Sequence, residues 1–255
     1  MKKLMIAASA AFMATVGFGL ESANVVGYAG TQLKTGFKAV GSQFAPVSGQ
    51  TIDLTAVTVT GYDKEEGTEE DVSVQTLDEY GSMIKTYFWY DIVDGEDVYY
   101  GWLDGESGEF IEAGDVTLSP GDGLWVSAPS SAFNLQTSGQ VPTASTEVSL
   151  KAGFKLVANQ TPVATDLLNL TVSGYDPEEG TEEDVSVQTL DEYGSMVKTY
   201  FWYDIVDGED VYYGWLDGES GEFIEEESVM LGAGEALWVS APSSSYKLVI
   251  AGVTL

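Results

Sequence analysis

The feature that most constrains this chain is a long internal repeat. Residues 65–112 recur as residues 178–225 at a constant offset of 113 positions, and only Ile84, which becomes Val197, differs. Two stretches this similar must adopt the same structure. The chain is therefore a tandem duplication of one structural unit. Looser similarity continues on both sides, with 33–38 matching 150–155 at an offset of 117, and 124–129 matching 237–242 at 113.

The repeating unit is about 115 residues long, which is the size of a domain rather than of a solenoid repeat. We therefore expect two domains, at residues 24–140 and 141–255, which we call the first and second repeats. Residues 138–146 (SGQVPTAST) have the composition of a linker. Recent duplication would explain the near-identity of the repeats. The alternative is that both present the same face to the same partner, and the sequence leaves both explanations open.

Short runs rich in Val, Thr, Tyr, Phe and Trp, bounded by Gly, Asp, Ser and Pro, predict β-strands throughout both repeats. Many short strands with frequent turns favour an all-β chain of two tandem sandwich or barrel-like domains. The clearest signal is a hairpin with strands at 85–91 and 98–103 and a turn at 93–97. The predicted strands of the first repeat are 25–33, 37–44, 54–60, 72–77, 84–92, 98–103, 109–111, 116–118, 124–127 and 133–136.

Each repeat opens and closes on a related strand. The opening strands are GFKAVG at 36–41 and GFKLVA at 153–158, and the closing segments are PGDGLWV at 120–126 and GEALWV at 234–239. These ends resemble a loose group of secreted bacterial β-domains with a GWNLIGNP-like opening strand and a G-x-G-F-W-V-like closing strand. The resemblance implies surface or extracellular modules. Ala236 stands where the closing motif has its second glycine.

The charge of the chain excludes several classes of function. There are 41 acidic residues against 10 lysines, giving a formal charge of −31, and there is no Arg, His or Cys. Such a chain repels nucleic-acid phosphates, so no nucleic-acid partner is expected. Thiol chemistry and histidine-based triads are excluded, and no feature singles out one carboxylate pair for glycoside hydrolysis. We therefore predict a protein that is not an enzyme.

The N-terminus predicts export. Lys2 and Lys3 precede an apolar run over residues 4–20, and small residues follow, so residues 1–23 are predicted to be a signal peptide. An uncleaved anchor is the alternative, although the run is shorter than the ~20 residues of a spanning helix. We expect the mature protein to be secreted, extracellular or on the cell surface, without a membrane span.

Calcium is the one candidate cofactor, and none is required by the sequence. Closely spaced carboxylates in extracellular modules are typical calcium ligands, although this spacing is not that of an EF-hand. The alternative is a solvated acidic turn. The candidate metal ligands are Asp91, Asp94, Glu96 and Asp97 in the first repeat, and Asp204, Asp207, Glu209 and Asp210 in the second.

Aromatic residues crowd two adjacent strands of each repeat. Since successive strand residues face opposite sides, both faces of the sheet carry rings. One face would then be core and the other a sugar platform or a contact between molecules, unless both are covered within the domain. The candidate aromatics are Tyr87, Trp89, Tyr99 and Trp102, with Tyr200, Trp202, Tyr212 and Trp215 in the second repeat.

Two functions follow as hypotheses. The first is a non-catalytic structural protein of the cell surface or extracellular matrix that assembles with itself into a filament or layer. The terminal strands at 24–33 and 247–255 are candidate edges for that assembly, because an unpaired strand edge is a template for another strand. The alternative is a glycan-binding module or adhesin that uses the Tyr/Trp-rich strands, which requires Trp89, Trp102, Trp202 and Trp215 to be exposed.

Overall fold

The prediction of an all-β chain is confirmed. The structure, a computed structural model, describes residues 26–44, 51–78, 80, 82–191, 194–207, 210–225 and 229–253, and the predicted signal peptide lies outside them. The first repeat contains β1 (Val26–Gln32), β2 (Gly36–Gly41), β3 (Ile52–Asp53), β4 (Thr58–Thr60), β5 (Thr68–Leu77), β6 (Met83–Asp94), β7 (Asp97–Asp104), β8 (Thr117–Leu118), β9 (Gly123–Ala128) and β10 (Asn134–Gln140). The second contains β11 (Thr146–Ser149), β12 (Gly153–Ala158), β13 (Thr165–Asp166), β14 (Leu170–Ser173), β15 (Thr181–Leu190), β16 (Met196–Asp207), β17 (Asp210–Asp217), β18 (Met230–Leu231), β19 (Ala236–Ala241) and β20 (Lys247–Ile250).

Each repeat builds the same antiparallel sheets. In the first repeat, a five-stranded sheet has the order β2-β9-β5-β6-β7, a three-stranded sheet has the order β1-β10-β4, and β3 pairs with β8. The second repeat has β12-β19-β15-β16-β17, β11-β20-β14 and β13-β18. One hydrophobic cluster draws on both larger sheets of the first repeat, with Val59 and Leu135 from one and Val74 and Val126 from the other. The two sheets therefore face each other as in a β-sandwich.

Several local predictions need correction. The linker prediction was too long, because β10 runs to Gln140 and β11 begins at Thr146. Leu54–Ala56 is a turn of 3-10 helix whose N-terminal amide is capped by the Asp53 carboxylate. The C-terminal strand is not an open edge, because β20 lies between β11 and β14 with partners on both sides. The domain boundaries at 140 and 141 stay a prediction.

The two repeats pack on each other with pseudo-two-fold symmetry. The Gly41 amide donates to the Gly234 carbonyl at 2.9 Å, and its counterpart, the Ala158 amide, donates to the Gly121 carbonyl at 2.9 Å. The indoles of Trp125 and its counterpart Trp238 meet edge to face, with ring centroids 6.1 Å apart. Each contact is thus met by its equivalent, which is the pattern of an isologous dimer interface placed within one chain.

Two ion pairs repeat the same symmetry. Lys38 Nζ lies 3.7 Å from a carboxylate oxygen of Glu235, and its counterpart Lys155 lies 2.9 Å from a carboxylate oxygen of Asp122. Burial lowers the pKa of the Lys38 ammonium, and the charge of Glu235 opposes that shift. Each lysine thus pairs with a carboxylate of the other repeat, on either side of the pseudo-two-fold axis.

The symmetry is broken where the repeats come closest. A methyl group added at Gly41 would lie 2.3 Å from Cβ of its counterpart Ala158, and one added at Gly123 would lie 3.0 Å from Cβ of its counterpart Ala236. Each pair therefore has room for one Cβ atom. This explains why Ala236 replaces the second glycine of the closing motif: the methyl groups are on the second repeat and the space for them is on the first.

The packing between the repeats covers one edge of each five-stranded sheet. It uses β2, β9, β12 and β19, which lie on one side of the two five-stranded sheets. The strands at the opposite edges of these sheets are β7 and β17. They therefore face away from the contact between repeats, one from each half of the chain.

Candidate functional site

The hairpin of β6 and β7 carries the candidate residues of the first repeat, and the hairpin of β16 and β17 carries their counterparts. The turn is tighter than the predicted 93–97, because Asp94 pairs with Asp97 and only Gly95 and Glu96 connect the strands. Gly95 has φ +66°. Glycine at the first position of a two-residue loop is the signature of a type II′ turn, which matches the twist of its strands.

The tryptophans are core residues, so the sequence prediction that they form a ligand platform is wrong. Trp89 and Trp102 are 1 % exposed, and Trp202 and Trp215 are 2 % and 1 % exposed. Trp89 and Trp102 pair across β6 and β7 and meet edge to face at 5.2 Å. The Trp102 indole N–H also donates to the buried Val57 carbonyl at 2.7 Å. Rings in this position fill the sandwich and cannot meet a ligand.

Among the tyrosines, the candidates divide between core and surface. Tyr87 and Tyr200 lie in the core, at 4 % and 3 % exposed, which is also a correction, whereas Tyr99 and Tyr212 are 38 % and 37 % exposed. Sequence reasoning did not single out their neighbours, although Tyr100 and Tyr213 are the most exposed rings of the two hairpins. Alternation along the strand did not identify Tyr100, because it shares a face with the buried Trp102 and is exposed only since it lies nearer the turn.

The open edge of β7 is the feature that distinguishes this hairpin. The Ile111 amide donates to the Trp102 carbonyl at 2.9 Å, and the Asp104 amide donates to the Glu109 carbonyl at 2.9 Å, so the end of β7 is covered. Among the described residues, nothing pairs with the edge of residues 97–101. This half carries Val98, which is 69 % exposed, and Tyr100, which is 59 % exposed.

The predicted calcium ligands of the first repeat are not brought together. Asp91 accepts a hydrogen bond from the Tyr62 hydroxyl, and Asp94, three residues further along β6, projects from the opposite face of the sheet. Glu96 and Asp97 lie at the exposed turn. Within the described ranges, no group of three or more acidic side chains is placed to share a metal ion.

In the second repeat, the same separation is visible for the residues that are described. The Tyr175 hydroxyl donates to Asp204 at 2.5 Å, as Tyr62 does to Asp91. Asp210 is exposed at the start of β17, whereas the side chain of Asp207 and all of Glu209 lie outside the described part of the chain. In both repeats, the first of the candidate calcium ligands, Asp91 or Asp204, therefore already accepts a hydrogen bond from a tyrosine hydroxyl.

We expect calcium to change the thermal stability of this protein only through ionic strength, and not by binding at a specific site. A site with a dissociation constant of 1 mM would stabilise the fold by about 1.4 kcal/mol at 10 mM Ca²⁺. Because the carboxylates are spread over two faces, we expect CaCl₂ and MgCl₂ at equal ionic strength to raise the melting temperature equally, by screening the net charge of −31. Calorimetry checks this. A rise specific to Ca²⁺, lost in Asp94→Asn, would instead support the calcium site.

Tyrosine–carboxylate pairs tie the loops to the sheet. The Tyr90 hydroxyl donates to Glu70 at 2.5 Å, and Tyr203 donates to Glu183 at 2.5 Å. Glu70 has φ +58°, an uncommon conformation for a residue other than glycine, and it lies at a bulge of β5. The strand predicted at 72–77 therefore starts earlier, at Thr68, and the hydrogen bond from Tyr90 ties Glu70 of this strand to β6.

These pairs predict loss of stability in alkali. Burial, reinforced by hydrogen bonds to carboxylates, raises the pKa of Tyr62, Tyr90, Tyr175 and Tyr203 to about 12. Their pKa in the unfolded chain is about 10, so between pH 10 and 12 the unfolded state releases protons that the folded state retains. The free energy of unfolding should therefore be constant below pH 10 and fall as pH rises to 12.

Urea denaturation at each pH measures this fall. The double variant Tyr90→Phe/Tyr203→Phe is the control, because it removes two of the four hydroxyls whose pKa is raised to about 12 and should make the decline shallower. A free energy of unfolding that stays constant from pH 9 to 12 in the unmodified protein would contradict these pKa shifts.

Two clefts flank the contact between the repeats. They have volumes of about 160 and 590 Å³ and occupy equivalent positions on either side of the pseudo-two-fold axis. Lys38 lines the first and Lys155 the second, and both are engaged in the ion pairs described above. The clefts therefore belong to the packing of the repeats.

Comparison with known proteins adds no relative. No protein-family model, curated protein or solved structure matches this chain. None of the helices in the described residues has the length and apolar character needed to cross a membrane.

Proposed function

We propose that this chain is a secreted structural protein without catalytic activity, and that its molecules assemble with one another through the open edges of β7 and β17. The observation that carries the proposal is the uncovered half of β7, residues 97–101, with Val98 and Tyr100 exposed to solvent. The same half of β17 carries Val211 and Tyr213, which are 69 % and 61 % exposed.

An open apolar edge is unusual because it invites association. Soluble proteins block such edges with lysine, proline, bulges or covering segments. Here residues 109–111 cover one half of β7, no residue that the structure describes covers the other half, and residues 97–101 contain no lysine or proline. The edge has the composition of a β-strand contact, with a β-branched residue beside two tyrosines.

The net charge regulates such an assembly. A formal charge of −31 opposes association of like molecules, and dissolved salt screens it over about 10 Å at 0.1 M. Assembly should therefore strengthen as ionic strength rises. A structural protein with this charge stays dispersed until it meets salt or counterions outside the cell.

The glycan-binding alternative has less support. Sugar platforms present several rings on one face, but Tyr99 and Tyr100 are consecutive and project from opposite faces of β7. The tryptophans that the alternative relied on are in the core. Its test is binding to a glycan array, where a tyrosine-dependent signal would favour it.

Replacing Val98 and Val211 with lysine should abolish assembly. A charged side chain on each edge strand prevents strand addition. We expect the unmodified mature chain to form large species in light scattering at 0.5 M NaCl, and Val98→Lys/Val211→Lys to remain monomeric.

The matched control is Ile84→Lys/Val197→Lys. These side chains are 59 % and 60 % exposed, on strands that do not form the open edge, and the change in net charge is the same. The control should assemble like the unmodified chain. Monomers of the unmodified chain at every salt concentration, or equal loss of assembly in both variants, would contradict the proposal.

A further inference from the structure

The hydrogen-bonding pattern of β7 determines which backbone groups face outward. Trp102 and Asp104 bond to residues 109–111, away from β6, whereas the Gly105 amide bonds to the Thr86 carbonyl of β6 at 2.9 Å. Backbone groups of successive strand residues point to alternate sides. Val98 and Tyr100 therefore direct both their amide and their carbonyl outward, and Tyr99 directs its own toward β6.

We infer that β7 pairs antiparallel with β7 or β17 of a second molecule of this chain, in a register centred on Tyr99 or its counterpart Tyr212. This inference rests on the proposed function. In this register, Val98 lies opposite Tyr100 of the second molecule and exchanges both backbone hydrogen bonds with it. Tyr99 meets its counterpart on the two-fold axis of the pair. All the outward backbone groups of Val98 and Tyr100 are then satisfied.

Side-chain packing favours the same register. A β-branched residue opposite an aromatic ring is a favourable cross-strand pair, and Val98 and Tyr100 form it twice. Tyr100 is already held edge to face against Trp89 at 5.2 Å, and Tyr99 is stacked on Phe110 at 6.2 Å. The rings of the contact are therefore ordered before assembly, which lowers its entropic cost.

Charge disfavours the neighbouring registers. With Tyr99 at the centre, Asp97 lies opposite Gly101, and the two Asp97 residues are about 13 Å apart along the strands, beyond the screening length at 0.1 M salt. A shift toward the turn would bring Glu96 and Asp97 of both molecules into the contact. A shift the other way would require the Trp102 carbonyl, which is occupied by Ile111.

The duplication turns this contact into a polymer. A symmetric strand pair normally closes a dimer. Here β7 and β17 have the same sequence, DVYYGWLD, and each molecule presents both at edges that face away from the contact between its repeats. Any edge can pair with any other, so each molecule joins two others and the chain of molecules stays open. This requirement also accounts for the near-identity of residues 65–112 and 178–225.

Cysteine cross-linking tests the register, because the chain contains no cysteine. Residues opposite each other in a non-hydrogen-bonded antiparallel pair have Cα atoms about 4.5 Å apart, within the range that a disulfide bridges. Under mild oxidation at 0.5 M NaCl, we expect Tyr99→Cys/Tyr212→Cys to give a covalent ladder in non-reducing electrophoresis. Tyr99→Cys alone should stop at the dimer.

Tyr100→Cys/Tyr213→Cys is the control. Tyr100 is more exposed than Tyr99, but the two Tyr100 positions of a pair lie diagonally, about 8–9 Å apart, which a disulfide cannot span. Equal cross-linking in both variants, or none at position 99 in variants that still assemble, would overturn the register while leaving assembly itself intact. Failure of the unmodified chain to assemble would refute the proposed function instead.

Hydrogen exchange on the unmodified chain gives a second, independent readout. On assembly, the amides of Val98, Tyr100, Val211 and Tyr213 should exchange at least tenfold more slowly, whereas the amide of Tyr99, already bonded within the hairpin, should change little. Protection confined to other strands would overturn the inference.

Discussion

Replacing Trp102 with alanine should lower the free energy of unfolding by about 3–5 kcal/mol, the loss typical of a buried tryptophan. Trp102 is 1 % exposed and packs against Trp89, so its removal leaves a large cavity. The Val57 carbonyl also loses the indole N–H that bonds to it at 2.7 Å and stays buried without a partner. Urea denaturation followed by far-UV circular dichroism measures the change.

The duplication supplies the matched variant. Trp215→Ala removes the counterpart side chain, which is also 1 % exposed and donates to the Leu170 carbonyl at 2.7 Å. We expect the same loss in the second repeat, and additive losses in the double variant, because the two tryptophans lie in separate clusters. A loss below 1 kcal/mol, no larger than that of exposed Ile84→Ala, would contradict the placement of Trp102 in the core.

Replacing Gly41 with leucine should separate the two repeats. Even a methyl group there would lie 2.3 Å from Cβ of Ala158, and overpacking of this kind costs about 1–3 kcal/mol. We expect one cooperative unfolding transition in the unmodified chain and two in Gly41→Leu. Small-angle X-ray scattering should show a larger radius of gyration.

The exchange variant Gly41→Ala/Ala158→Gly tests whether the effect of a larger residue at Gly41 comes from the lack of space beside Ala158. It moves the methyl group from the second repeat to the first, which removes the 2.3 Å contact with Ala158 and leaves the new methyl group 2.8 Å from the Asp122 carbonyl oxygen. It should therefore be destabilised less than Gly41→Ala alone, which makes both contacts. Equal destabilisation of the single and exchange variants would show that Gly41 is needed for another reason. Gly30→Ala, whose methyl group would have no neighbour closer than 3.8 Å, should be neutral.

Much of the fold was predictable because alternating apolar residues and turn signals are local. The strands at 98–103 and 124–127 are confirmed within one or two residues as β7 and β9. The linker prediction at 138–146 overlapped the first residue of Thr146–Ser149, because Ser and Thr are common in linkers, although Val148 of this strand enters the core. The strand predicted at 72–77 begins four residues too late, because the acidic residues at 69–71 carry no apolar alternation, yet they belong to β5.

The candidate site was harder to predict because it depends on strand order. Both faces of β6 and β7 carry rings, so the sequence did not show that Trp89 enters the core and Tyr100 does not. Which strand lies at a sheet edge is a property of the whole topology, and DVYYGWLD has the composition of a central strand. The packing of the repeats was missed as well, since Gly41 and Ala158 are ordinary strand residues until they face each other.

Electron microscopy of the mature chain at 0.1 and 0.5 M NaCl tests assembly through β7 and β17 most directly. Unbranched filaments, one molecule wide, should form at the higher salt concentration and be absent for Val98→Lys/Val211→Lys. The contradictory result is a field of dispersed single particles at both salt concentrations, or filaments that form equally well when both edge valines are lysine.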